Sequence, residues 1–194
     1  MFLSERPALE RKGNVLYAGT LADAASRAVE LAGRGRPKFD PAQRRIKGLY
    51  TGGTLASEAA MLIREALDLQ DGDTSHAQGY ILRNEGHEII DLGDDAYTQG
   101  RPHPMIDPTS RVEKLPAIFD DEATAVVLID IVIGFGAAQD PAGAVVPAIR
   151  VGIARAARAG RDVRVVDSVC GTSGGFQGTG DQRSQLLGAG GTGW

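Results

Sequence analysis

The sequence predicts an α/β protein built on a parallel sheet of four to five strands with helices on both faces. Three observations carry that prediction. Strand-like and helix-like segments alternate four times from Ile46 onward, which is the pattern of βαβ units. The segment from Ala125 to Ile133 (Ala-Val-Val-Leu-Ile-Asp-Ile-Val-Ile) is apolar except for Asp130. A strand buried on both faces, as in a parallel sheet, reads this way. Asp-Pro also precedes an amphipathic stretch at 107–108 and again at 140–141. It couples a good N-cap to a residue suited to the first helical turn.

The elements follow in order. Residues 1–45 read as a lead-in with one helix, Thr20 to Ala32. Leu21, Ala24, Ala25, Ala28 and Leu31 fall there at helical spacing. The glycine- and arginine-rich run from Gly33 to Pro37 then reads as a linker. Residues 46–194 read as the main domain. Its first strand is Ile46 to Thr51, and its first helix is Thr54 to Leu67 with Leu55, Ala59, Leu62 and Ala66 inward. A short extended piece at Tyr80–Leu82 precedes a strand from Glu88 to Leu92. The helix behind Asp107-Pro108 carries Val112, Leu115, Ile118 and Phe119, and Pro116 predicts a kink or an early stop. After the strand Ala125 to Ile133, a helix behind Asp140-Pro141 carries Val145, Ile149, Ile153 and Ala156, with Pro147 threatening its early turns. Val163 to Val169 is the fourth strand, and Gln182 to Leu187 begins a last helix. No apolar run remains beyond it for a fifth strand, so the domain is expected to be incomplete at its C-terminal end.

Composition narrows the function. The net charge is −4, which argues against general nucleic-acid binding. The single cysteine, Cys170, excludes an intramolecular disulfide and a multi-thiolate metal site; it reads as a small buried residue. No apolar run reaches membrane-spanning or signal-peptide length, so a cytoplasmic protein is expected. His76 and His87 read as structural.

In an open parallel sheet, ligands bind beyond the carboxyl ends of the strands. Glycine-bearing segments emerge there, and Gly52, Gly53, Thr54, Gly134, Gly136, Gly171 and Thr172 are the expected phosphate-binding residues. Thr51-Gly-Gly-Thr54 runs from a strand directly into a helix, whose free amides and dipole favour an anion. Between the second strand and its helix lies a connection spanning Asp91 to Pro108, far longer than the usual 2–6 residues. Within it His103 is the candidate proton carrier or nucleophile, held between Pro102 and Pro104. Arg101 and Arg111 are candidates to clamp a phosphate or carboxylate. Asp94 and Asp95 are candidates to bind Mg²⁺ or orient His103. Asp130, mid-strand, reads as a structural cap for a neighbouring loop, the other reading being that it faces the site from below.

Together the segments from Gly48 to Ala59, Asp91-Leu-Gly-Asp-Asp95, Gly100 to Pro108 with Arg111, Gly134-Phe-Gly136 and Val169-Cys-Gly-Thr172 resemble the FdrA family of the succinyl-CoA synthetase superfamily, over about residues 46 to 187. The resemblance implies a flavodoxin-like domain of the CoA-ligase type. It implies that helices after glycine-rich strand ends point their N-termini at a phosphorylated group. Gly52-Gly53 with Glu58 is similar to one such helix start, and the helix after the long connection is similar to the other. The implied activity is acyl-CoA synthesis through an acyl phosphate, or oxamate carbamoyl transfer in purine (allantoin) degradation through carbamoyl phosphate. A non-catalytic or assembly subunit is the other reading. The implied partners are a small carboxylate, phosphate and a CoA- or nucleotide-binding domain or subunit in a homo- or hetero-oligomer. CoA, nucleotide or Mg²⁺ would belong to the full assembly. The chain has no Gly-His-Ala-Gly segment, so the resemblance carries no phosphohistidine onto His103.

Overall fold

The computed structural model describes residues 10–33, 44–70, 77–171 and 175–190. Among the described residues seven strands form one sheet: β1 (Glu10–Lys12), β2 (Val15–Ala18), β3 (Arg45–Tyr50), β4 (Tyr80–Asn84), β5 (His87–Asp91), β6 (Thr124–Val132) and β7 (Arg164–Cys170). Their spatial order is β1-β2-β7-β6-β3-β5-β4. The five inner strands β2, β7, β6, β3 and β5 are parallel, and β1 and β4 pair antiparallel at the two edges. The parallel core therefore has the five strands the sequence allows, and two edge hairpins add to it.

The fifth parallel strand does not come from the C-terminal side. It is Val15–Ala18, which pairs with β7 over Val15↔Val165 to Ala18↔Ser168. All four of its residues are buried. Residues 10–33, expected as a lead-in, thus complete the same sheet. The physical reason is simple. β7 would otherwise present an unpaired edge, and a short fully apolar strand covers it wherever it lies in the chain.

Helices pack on both faces. α1 (Leu21–Gly33) and α2 (Gly53–Leu67) cover one face through alanine-rich surfaces. α4 (Thr109–Asp120), α5 (Pro141–Arg158) and α6 (Thr179–Ala189) cover the other. A one-turn helix α3 (Asp95–Thr98) lies inside the long connection and was not foreseen. The inward face of α2 is Ala56, Ala59, Ala60 and Ile63. That corrects the expected face: Leu55 and Leu62 pack at its flank and Ala66 is exposed. Small residues against the sheet let the helix approach closely. Pro116 and Pro147 are exposed and end neither α4 nor α5, because each removes one amide donor on the solvent side.

At the N-terminal end of the sheet the buried Lys47 binds Glu88 at 2.9 Å and Asp121 at 3.3 Å, tying β3 and β5 to the end of α4. His87 is also structural there. Its Nδ1 accepts from the Ile46 amide at 3.1 Å. His76 lies outside the described residues. Among the described residues no helix is long and apolar enough to cross a membrane.

Candidate functional site

The carboxyl ends of β3, β5, β6 and β7 share one edge of the sheet, where α1, α2, α4, α5 and α6 begin. What separates these helix starts is how their first amides are satisfied. In α1 the Thr20 hydroxyl accepts from the Asp23 amide at 3.0 Å. In α4 Asp107 accepts from both the amide and the hydroxyl of Thr109, and those bonds hold its carboxyl below the usual range. In α5 Asp140 accepts from the Gly143 amide at 3.1 Å and Gln182 from the Ala142 amide at 2.8 Å. Burial pushes Asp140 upward, but bonds from Gln182, Gly143 and Gln185 together hold it below the ordinary value. α6 has no capping side chain but carries Asp181 in its first turn. α2 has neither. Its N-cap is Gly52, among the described residues no side chain caps it, and its first turn holds no acid. This corrects the expectation that the helix after the long connection faces phosphate alongside α2, because Asp107 already occupies that start.

Beside the open end of α2 lies Asp91, the last residue of β5. Its Oδ1 accepts from the Gly93 amide at 2.7 Å, a local turn in which a short carboxylate bonds the chain two residues on. Two glycines frame it. A Cβ on Gly53 would come within 3.0 Å of Asp91 Oδ2. A Cβ on Gly93 would lie 2.8 Å from His103 Nε2, 3.0 Å from Asp91 Oδ1 and 3.2 Å from the Thr51 carbonyl oxygen. His103 Nδ1 accepts from the Met105 amide at 3.3 Å, which leaves Nε2 as the atom facing this cradle. Burial raises the Asp91 carboxyl; the neighbouring acids Asp94 and Asp130 add to that, while the Gly93 amide and His103 oppose it.

Asp130 supports the cradle from below. It is fully buried and accepts from the Thr51 amide at 3.0 Å and 3.2 Å and from the Thr51 hydroxyl at 2.7 Å. Arg111, 2% exposed, binds both the carboxylate and the carbonyl of Asp130. The Thr51-Gly52 turn is therefore fixed by β6 and α4, and Asp130 is the structural cap that its mid-strand position suggested.

Several expected site residues are placed differently. Arg111 points into the protein and neutralises Asp130, so it is not free to clamp a ligand. Arg101 is exposed and bonds Glu113 at 2.8 Å. Thr54 is exposed, and its amide belongs to the open turn of α2. Gly134 uses its amide on Gln177 Oε1 at 3.0 Å and its carbonyl on Gln177 Nε2. Gly171 is packed against Ile133, whose carbonyl oxygen a Cβ would meet at 2.5 Å. Gly136 has nothing near its Cβ position. Thr172 lies outside the described residues. Asp94 caps α3 through the Ala96 amide and Asp95 is exposed. Among the described residues no group of three potential ligands could hold a metal ion. Cys170 is exposed rather than buried; desolvation and then Asp130 raise its thiol.

Asp91 and Gly93 are candidate site residues without a role among the sequence-based expectations. Their signal was an acid closing a strand with glycine two residues later.

The CoA-ligase family model matches residues 49–192, and the chain belongs to the CoA-ligase family. It is also 36% identical over 160 residues to the Escherichia coli (strain K12) protein described as "Uncharacterized protein YahF". That match covers 80% of this chain and 31% of the relative, so the chain spans about a third of the relative's length.

Proposed function

We propose that this chain supplies the phosphate-facing domain of an FdrA-like, cytoplasmic ligase that carries an acyl or carbamoyl group as a mixed anhydride with phosphate. The observation that carries this reading is the first turn of α2, left open by Gly52 and bordered by His103 and Asp91. Free amides at a helix start bind an oxyanion and stabilise charge that develops on it. Gly52, Gly53 and Thr54 would hold the phosphate, and Gly136, after β6, has no described atom within 4 Å of its Cβ position. His103 acts through Nε2, which carries the ring proton while Nδ1 accepts from the Met105 amide, as proton carrier; acting as transient phosphate acceptor requires that proton to leave Nε2 first. Arg101 sits on an exposed arm that could leave Glu113 for a ligand, since exposed ion pairs are weak.

CoA and nucleotide belong, in this reading, to further polypeptide. The relative is about three times as long as the matched segment. One observation also favours docking of such a partner, and hence the assembly-subunit alternative. Ile106, Phe135 and Phe176 are exposed on three loops at this edge. Those loops are bonded together, with the Ala138 amide on the Met105 carbonyl and Gln177 on Gly134 and Ala138.

Calorimetric titration of the intact chain with acetyl phosphate and with carbamoyl phosphate tests the proposal, and preference for the second favours oxamate carbamoyl transfer. Gly53→Pro deletes one amide donor at a position where proline suits a helix start and puts a Cβ 3.0 Å from Asp91 Oδ2, and it is expected to weaken binding at least about tenfold. Unchanged affinity in the folded variant, or no binding by the intact chain, would overturn the phosphate site and leave the assembly role.

A further inference from the structure

The seat at α2 poses an electrostatic problem. Asp91 Oδ2 lies 3.0 Å from the Cβ position of Gly53 and Oδ1 lies 3.0 Å from that of Gly93. A carboxylate in that place repels the anion that the open amides attract. We propose that Asp91 contacts the bound oxyanion directly as the neutral acid, so that a phosphate or carboxylate enters the site together with one proton. This rests on the reading of α2 as an anion site and adds the rule by which the site selects its ligand.

Four features support the proposal. The glycines at 53 and 93 leave space on both sides of the carboxyl that any side chain would fill. Oδ1 is engaged by the Gly93 amide, while Oδ2 faces the start of α2. The charged and titratable groups facing Asp91 disfavour its ionised form on balance. They are Asp94 on its own loop, His103 on the long connection and Asp130 on β6, itself paired with Arg111 from α4. The first turn of α2 contributes no charged side chain. Burial acts in the same direction. Finally, His103 Nε2 faces the same cradle, and among the described residues no hydrogen bond or ion pair joins it to Asp91. An oxygen seated between them would take one hydrogen bond from the Asp91 acid and one from Nε2.

The consequence is proton-linked affinity. Below the pKa of Asp91 in the empty site, binding is insensitive to its titration; above it, affinity falls about tenfold per pH unit. The probe is sulfate, which keeps one charge state across this range. Its dissociation constant is measured by calorimetry from pH 4.5 to 8.5 on the full chain, on Asp91→Asn and on His103→Gln. The expected result is that Asp91→Asn binds sulfate at least about tenfold more tightly than the native chain at pH 8. His103→Gln should keep the Asp91-dependent slope. Inorganic phosphate and acetate in parallel distinguish the two anion classes. Should Asp91→Asn fail to fold, titration of the native chain in two buffers of different ionisation enthalpy counts the protons taken up, with a value near one expected above the transition.

Equal or weaker sulfate binding by Asp91→Asn at pH 8 overturns the proposal, as does zero proton uptake. In either case the anion site itself stands if the native chain binds sulfate. An absence of sulfate binding at every pH removes both the site and the inference.

Discussion

Replacing Arg111 with methionine separates a structural arginine from a ligand-clamping one. Arg111 is 2% exposed and Asp130 fully buried, and the guanidinium reaches both the carboxylate and the carbonyl of Asp130. Methionine fills much of the space but leaves the Asp130 carboxylate inside the protein with only the Thr51 amide and hydroxyl to hold it. Removing one partner of a buried ion pair destabilises by about 3–5 kcal/mol, because the remaining charge is uncompensated. For a domain of this size that lowers Tm by roughly 10 °C. Urea denaturation followed by far-UV circular dichroism measures the first quantity, and a thermal scan the second. Adding Asp130→Asn should recover part of the loss, since the two changes share one interaction. A single variant within about 1 kcal/mol of the native protein, the range of exposed ion pairs, would refute the reasoning.

Other expectations concern pH and packing. Burial, then Arg45 and Lys47, lower the His87 imidazole to about 4. The unfolded chain therefore binds the extra proton, and stability contributed by neutral His87 is complete above about 6.5 and lost as pH falls toward 4. His87→Gln should flatten that slope in urea titrations, and an unchanged slope would contradict it. Asp167 has the opposite sign. Burial raises it to about 8, against the opposing charge of Arg183 and a bond from its own backbone amide. Its contribution is full below the ordinary carboxylate range and is lost as pH rises through about 8. Asp167→Asn should remove the fall in stability between about pH 4 and 8, and a persistent fall would place its cause elsewhere. Gly152→Ala would put a methyl 2.2 Å from the fully buried Phe119 ring. A loss of about 1–3 kcal/mol in urea denaturation is expected from such overpacking, and no loss would mean that α4 and α5 move apart freely.

Much of the fold was legible because its strongest signals are local. The apolar run of β6 and the Asp-Pro openings specify their elements within a few residues, and Asp140 caps α5 as its position suggests. The pairing of β2 with β7 was not legible. It joins Val15 to Val165, and a four-residue apolar run names no partner. The site was half legible for a related reason. Glycines and His103 stand out by residue type, and the structure brings Gly53, His103 and Thr51 around one cradle. Arg111 stood out equally, yet its direction depends on Asp130 of another strand. Asp91 did not stand out from Asp94 and Asp95. Only the fold turns its carboxyl toward Gly53, while Asp94 turns to its own helix.

The central claim is that the first turn of α2 receives the phosphate of an acyl phosphate. Backbone amide NMR during titration with acetyl phosphate tests it most directly. The largest shifts are expected at Gly52, Gly53, Thr54 and Gly93, with the capped starts of α4 and α5, at Thr109 and Gly143, left nearly unmoved. Shifts centred on α4 or α5, or none at saturating ligand, would contradict the account.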